Sequence, residues 1–289
     1  MKTRIIVSAI LLPIFFAVLF VFPPYILTAV ISVICAIAAH ELLHATGTEK
    51  SKSIVVYTIT IAAIVPIAIY INNIYLEILN SQFSILNSFA PLLITFFILM
   101  SLLIIEVVLK LKTEKQIKLR QIPIVLAAGI AIPYMLSSLI SLKTMPYGHL
   151  FVLLPIISAF LTDSGAYFTG ITIGKKQAFP TISPNKTVEG CVGGVIIGTA
   201  GMMIYGIILS GTTPLTIIYP ALIVYGILGA LVTELGDLTF SLIKRKCDIK
   251  DYGTLIPGHG GMLDRFDSMT LAAPTMYLLV ILLPAIIVN

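Results

Sequence analysis

Long apolar runs alternate with short polar ones along the whole chain, and the runs have the length that a bilayer requires. A hydrocarbon core takes about 20 apolar residues per helix, and on that measure the sequence holds about nine candidate spans. They run from Ile5 to Phe22, Tyr25 to Leu43, Ile54 to Ile71, Phe89 to Leu109, Ile122 to Leu142, Leu150 to Ile173, Val188 to Leu209, Leu215 to Ile243 and Met269 to Val288. The first follows Lys2 and Arg4 as a signal peptide would, but it has no small-x-small cleavage site and ends Phe22-Pro23-Pro24, so it reads as a retained span. No repeat, low-complexity tract or long linker divides the chain. The pattern predicts an all-α, polytopic membrane protein forming one membrane domain over 1–289, with N-terminal spans over 1–148 and a C-terminal half over 149–289.

Composition agrees with the pattern and removes the other classes. Of 289 residues 58% are hydrophobic and 11% charged, and the mean hydropathy is +1.07. A soluble domain carries about a quarter of its residues charged, so soluble, disordered and secreted disulfide-rich classes are excluded. Three cysteines, Cys35, Cys191 and Cys247, have no paired spacing and read as packing residues. The net charge of +5 does not indicate nucleic acid, because the basic residues fall between apolar runs, where the anionic cytoplasmic leaflet is their neighbour. Counted over alternate loops, seventeen of the eighteen basic residues lie on one side and Lys143 alone lies on the other. Basic loops stay in the cytoplasm. The expectation is a multi-pass protein of the cell membrane with its N-terminus inside, its C-terminus outside, and the polar loops 174–187 and 244–268 on the cytoplasmic face.

Polar residues concentrate in the second half, where 160–268 hold eight of the thirteen acids. At about 100° per residue, Glu234, Asp237, Ser241 and Lys244 fall in one narrow stripe of an otherwise apolar helix. A charge at the bilayer centre costs about 2.5–3.5 kcal/mol on insertion scales, so such a seam should face a cavity, a metal or a partner charge. Shortly after comes Pro257-Gly258-His259-Gly260-Gly261-Met262-Leu263-Asp264-Arg265-Phe266-Asp267. Its glycines permit close backbone approach to a ligand, and Asp264 and Asp267 share a face if a helix starts there. Carboxylates are the ligands that Mg²⁺ favours. Beside Lys244 and Arg245 at a membrane surface, the segment reads as a metal-plus-phosphate site.

These residues resemble a known family. Ser241, Lys244-Arg245, Lys250-Asp251 and the 257–267 segment match the signature of the phosphatidate cytidylyltransferases, over 241–267. Asp163-Ser-Gly-Ala166-Tyr167-Phe-Thr-Gly170 with Gly174-Lys175, and Ser183-Pro184-Asn-Lys186-Thr187-Val-Glu189-Gly190, resemble two further segments of that family. The resemblance implies a nucleotidyltransferase of phospholipid biosynthesis that makes CDP-diacylglycerol and pyrophosphate from CTP and phosphatidate, with Mg²⁺ or Mn²⁺ as cofactor and two ions as an option. It implies Asp237 and Asp264 as leading metal ligands, with Asp267 and Glu234 in addition, and Lys244, Arg245, His259 and Arg265 as phosphate-handling catalytic residues. Asp163, Tyr167, Lys175, Ser183, Lys186, Thr187, Glu189, Ser241, Gly260 and Gly261 are then the substrate-binding set. A homodimer is a further, weaker implication. An alternative within the transferases is a CDP-archaeol-type synthase, which uses an isoprenoid ether lipid.

One motif points elsewhere. His40-Glu41-Leu42-Leu43-His44 could bind Zn²⁺ through two histidines, with Glu41 as general base, as an intramembrane metalloprotease would. Such proteases draw a third ligand from a distant Asp-Gly, and the sequence holds no Asp-Gly dipeptide. A glutamate near the end of the second span is familiar in the resembled family too, which makes the histidines incidental.

Overall fold

The structure is a computed structural model, and it describes residues 13–48, 51–78, 98–106, 121–258 and 260–287. The described chain is predominantly helical. Six of its helices are long and apolar enough to cross a membrane: 24–45, 52–77, 122–144, 148–173, 188–212 and 219–246. Each coincides with a span expected from sequence. The expected spans Ile5 to Phe22 and Phe89 to Leu109 are described only in part, over 13–22 and 98–106.

Two compact units divide the chain, Met1–Thr144 with Ile249–Arg265, and Met145–Asp248 with Phe266–Asn289. In the first, α1 (Pro24–Ala45) packs on α2 (Lys52–Ile78), and α3 (Ile122–Thr144) packs against both. Leu27, Ile31, Cys35, Leu42 and Leu43 of α1 meet Ile54 and Ala62 of α2 and Leu136, Ile140 and Leu142 of α3 in a core that is 0–2% exposed. Pro24 opens α1 at a position where its missing N–H costs nothing. Pro133 lies inside α3, where no N–H answers the carbonyl four residues back, and the preceding turn widens to a π-helical stretch over Ala127–Ala131.

The second unit is built from α4 (Leu153–Ile173), α5 (Val188–Thr212), α6 (Tyr219–Lys246) and α7 (Leu263–Leu282), whose first three residues belong to the first unit. Thr187 starts α5 by accepting the Gly190 N–H at 3.1 Å, the usual work of an N-cap threonine. Before it, β1 (Gln177–Phe179) and β2 (Ser183–Thr187) form an antiparallel hairpin. At the far end, β3 (Thr216–Ile217) pairs with β4 (Ile286–Ile287), and the buried Tyr225 hydroxyl donates to the Leu283 carbonyl at 2.8 Å. Large apolar side chains cover the outside, among them Ile171, Ile196 and Leu282 at 63%, 62% and 76% exposed, as expected where lipid replaces water.

Boundaries differ most from the sequence expectation in three spans, and the first of these, α2, runs on to Ile78 rather than ending at Ile71. The last helix starts at Leu263 rather than Met269 and ends at Leu282, so it takes in Asp264 and Asp267. The eighth span starts at Tyr219 rather than Leu215, because 216–217 are paired as a strand and Pro220 sits in the first helical turn.

Candidate active site

The polar seam of α6 is present as the spacing predicted, and three other elements bring charged groups to it. Asp237 is the centre. Its Oδ2 pairs with Lys186 Nζ of β2 at 2.7 Å, and its Oδ1 accepts from Ser241 Oγ, one turn on, at 3.3 Å. From α7, Asp267 Oδ2 lies 3.9 Å from Lys244 Nζ. The buried Ser268 ties that helix to α4, since its hydroxyl donates to Asp163 Oδ2 at 3.1 Å while its N–H donates to Asp267 Oδ1 at 2.8 Å. Asp163, Asp237 and Asp267 are thereby within electrostatic reach of one another.

Close helix approach makes this convergence possible. Gly236 sits between Glu234 and Asp237, and a Cβ there would meet the Asp267 carbonyl at 2.9 Å and Ser268 Cα at 3.2 Å. Only glycine lets α7 lie so near the seam. Burial disfavours the Lys186 ammonium, but Asp237 beside it, then Glu234 and Asp163, outweigh that and hold its pKa above the usual lysine value. Side-chain exposure is 17% for Lys186, 26% for Asp237, 10% for Lys244 and 13% for Asp267, so these charges are largely withdrawn from water.

Several expected residues hold the scaffold of this site. Glu189 Oε2 accepts the N–H groups of Lys175 and Lys176 at 3.0 and 3.2 Å, closing the base of the hairpin that carries Lys186. Arg245 Nε donates to the Ile182 carbonyl at 3.2 Å, fixing the hairpin's turn to the end of α6. Ser183 pairs across the hairpin with Phe179. Tyr167, expected beside Asp163, is 63% exposed, with its ring edge-on to Phe168.

In the first unit, the glycine segment folds as a tight loop. Gly258 and Gly260 adopt φ values of +77° and +89°, which side chains rarely tolerate, and Ile256 and Gly260 form an antiparallel bridge. Asp264 is buried, and its Oδ2 accepts the N–H groups of Tyr252 and Gly261 at 2.8 and 3.0 Å. Lys250, Asp251, Gly253, Thr254, Ile256, Gly258, Gly260 and Arg265 line a cavity of about 450 Å³. His259 lies outside the described residues.

The residues of the zinc motif do separate work. Glu41 is buried and its two carboxylate oxygens accept the N–H groups of Met262 and Leu263, so it is engaged as a hydrogen-bond acceptor rather than poised over a metal. His40 and His44 are both exposed, their rings stacked with centroids 6.3 Å apart. Sequence reading missed the work of Glu41 and of Ser268. For Glu41 the available signals were a glutamate near the end of an apolar helix and the resembled family's glutamate at the same place. Ser268 gave none beyond its place beside Asp267.

Among the described residues, no three His, Cys, Asp or Glu side chains gather into a ready-made metal cage. Mg²⁺ does not need one, because it binds through one or two carboxylates and completes its shell with waters and substrate phosphate oxygens. The donors at α6 and α7 are carboxylate oxygens, the hard ligands such an ion takes, and Glu234 Oε1 is a buried carboxylate oxygen with no nitrogen or oxygen partner among the described residues, the Cys191 thiol being its neighbour. The donor set therefore fits the ion.

Fold and site together define a polytopic helical membrane protein with a carboxylate–lysine cluster at one end of a helical unit. Residues 2–283 match the model of the cytidylyltransferase family, and the chain belongs to that family. Among its relatives, the phosphatidate cytidylyltransferase of Bacillus subtilis is 42% identical over 136 residues, covering 47% of this chain and 49% of that protein. That of Staphylococcus saprophyticus is 39% identical over 139 residues, 48% of this chain and 52% of that protein. That of Haemophilus influenzae is 41% identical over 130 residues, 45% of each chain. The chain thus spans about half the length of the curated relatives it matches.

Proposed function

We propose that this chain is a phosphatidate cytidylyltransferase, joining CTP and phosphatidate to give CDP-diacylglycerol and pyrophosphate. The observation that carries the reading is the convergence on Asp237 of charged groups from three segments far apart in sequence, Asp163, Lys186 and Asp267. The relatives' names supply the substrates.

A phosphate oxygen of phosphatidate attacks the α-phosphorus of CTP, a new P–O bond forms, and the bond from that phosphorus to the bridging oxygen breaks to release pyrophosphate. Both partners are polyanions, so the site must neutralise charge as it shifts towards the leaving group. Lys186 and Lys244 supply fixed cations that are largely withdrawn from water, where their fields are strong. The lipid phosphate is already ionised near neutral pH, so positioning matters more than proton removal. Asp163, held by Ser268, keeps that side of the cluster in one arrangement. Asp237 would hold Mg²⁺, with Asp267 and Glu234 as further ligands, and Asp264 of the first unit is kept as a metal ligand in its own right, with one oxygen engaged by the loop backbone. When bound, the ion polarises phosphate oxygens and stabilises the departing pyrophosphate. The same reading places the site on the cytoplasmic side of a cell membrane, with nine spans and the N-terminus inside.

The test is direct. Purified protein in detergent, given phosphatidate, radiolabelled CTP and Mg²⁺, should release pyrophosphate and label the lipid, and EDTA should stop both. Labelling of an isoprenoid ether phosphatidate in place of the diacyl lipid would move the substrate assignment, and no CTP turnover with either would overturn the reading.

A further inference from the structure

The first unit holds a buried carboxylate that the proposed chemistry does not use. Glu41 lies four residues before the end of α1 and is 6% exposed. Its Oε1 accepts the Met262 N–H at 2.9 Å and its Oε2 the Leu263 N–H at 2.8 Å. Leu263 is the first residue of α7, and Met262 before it has no side-chain oxygen with which to cap a helix. The orphan N–H groups of that first turn are therefore met by a carboxylate more than two hundred residues away in sequence, and its negative charge suits the positive end of a helix. The glycine loop is shaped around the same group. A Cβ on Gly253 would stand 2.6 Å from Glu41 Oε1, and one on Gly261 would stand 2.6 Å from both of its oxygens. Asp264 takes the Tyr252 and Gly261 N–H groups, so two carboxylates hold the loop at both ends.

We infer that Glu41 is a positioning residue for the cavity of about 450 Å³ on this loop, fixing the loop and the first turn of α7 so that Lys250 and Arg265 line the cavity as a paired cationic wall for a nucleoside triphosphate. Glu41 does not itself line that cavity. The inference rests on the proposed reaction for the identity of the anion, while the anchoring of the loop stands without it. Charge and reach both matter. A glutamine at 41 keeps one acceptor and sets an amide N–H₂ against a backbone N–H, whereas an aspartate keeps the charge and both acceptors on a stem one methylene shorter.

The experiment compares wild type, Glu41→Gln and Glu41→Asp in the full chain. One arm measures maleimide labelling of Thr254→Cys in a background with Cys35, Cys191 and Cys247 replaced by Ser. The other measures KM for CTP and for phosphatidate. Glu41→Gln should raise the labelling rate and the KM for CTP each by about tenfold or more, with the KM for phosphatidate within about twofold, and Glu41→Asp should recover part of both. Unchanged labelling and unchanged CTP KM in Glu41→Gln would overturn the inference. So would a uniform fall of activity in proportion to folded protein, which is what a merely structural residue gives. If Glu41→Gln does not purify, Glu41→Asp alone decides, by the same split between the two KM values. Wild-type protein that does not use CTP would overturn the proposed function, and the labelling arm would still decide the role of Glu41.

Discussion

Asp237, Asp248 and Asp264 are three aspartates within 28 residues, and their surroundings give them three kinds of work. Asp237 is paired with Lys186 and Ser241. Asp264 shares one oxygen between two backbone N–H groups. Asp248 stands just past the end of α6 at φ +56°, the left-handed conformation that ends many helices and that asparagine accepts as readily as aspartate. Asp237→Asn and Asp264→Asn keep the shape and remove the charge, so each should lower turnover by about 10²-fold or more while the protein still inserts. Asp248→Asn should stay within about twofold of wild type. Turnover titrated against Mg²⁺ checks this; wild-type rates with an unchanged Mg²⁺ requirement in the Asp237 variant would shift the metal role to Asp163, Glu234 and Asp267. Lys186 adds no pH sensitivity to that comparison. Its folded pKa is raised, so the pair's contribution is whole below the ordinary lysine range and is lost only as pH rises through the raised value, well outside about pH 6 to 9. The seam on α6 was legible in the sequence because helical periodicity alone sets it. The partners of that seam were not, because Lys186 and Ser268 reach it through tertiary contacts that no local spacing encodes.

Among the elements, the hairpin of β1 and β2 does most to bring a charge to the seam, since it carries Lys186 to Asp237. Ser183-Pro184-Asn185-Lys186-Thr187 reads as a loop in sequence, with a proline and an asparagine that disfavour strands. The structure makes it a strand because Glu189 closes the base of the hairpin and Arg245 fixes its turn. Glu189→Ala should therefore loosen this element and little else. Hydrogen exchange followed by mass spectrometry should show faster exchange at the Lys175 and Lys176 amides, with α4 and α6 protected as in wild type. Equal acceleration along those helices would mean that Glu189 supports the whole unit. The start of α7 makes the same point from the other direction. Hydropathy set it at Met269, after the last charges, but the carboxylate of Glu41 provides a helix start at Leu263. A boundary fixed by a distant side chain leaves no mark on local hydropathy.

At the scale of the molecule, alternation of the spans is the claim to test, and contacts inside each unit bear on it. In the first unit, Asn73 near the end of α2 donates to Ser141 and Thr144 at the end of α3, both at 3.2 Å. At the other end of these helices, Gln121 donates to the Gly47 carbonyl at 3.3 Å. Helices α2 and α3 thus run in the same direction, and the return crossing that the sequence expectation puts at Phe89 to Leu109 is described only over 98–106. Lys143, the one basic residue assigned outside, donates to the Leu19 carbonyl, which falls at the outer end of the first expected span. In the second unit, the hairpin of β1 and β2 shares an end with Arg245, while β3 and β4 meet at the opposite end. Single cysteines at Lys115 and Lys250, in a background without the native three, should be protected from a membrane-impermeant maleimide in intact cells. Cysteines at Asn73 and Lys143 should react, once any buried position has been checked in detergent. Outside labelling at Lys250 would sink the orientation, and with it a site supplied with CTP from the cytoplasm; labelling at both Lys115 and Asn73 would sink the return crossing between them.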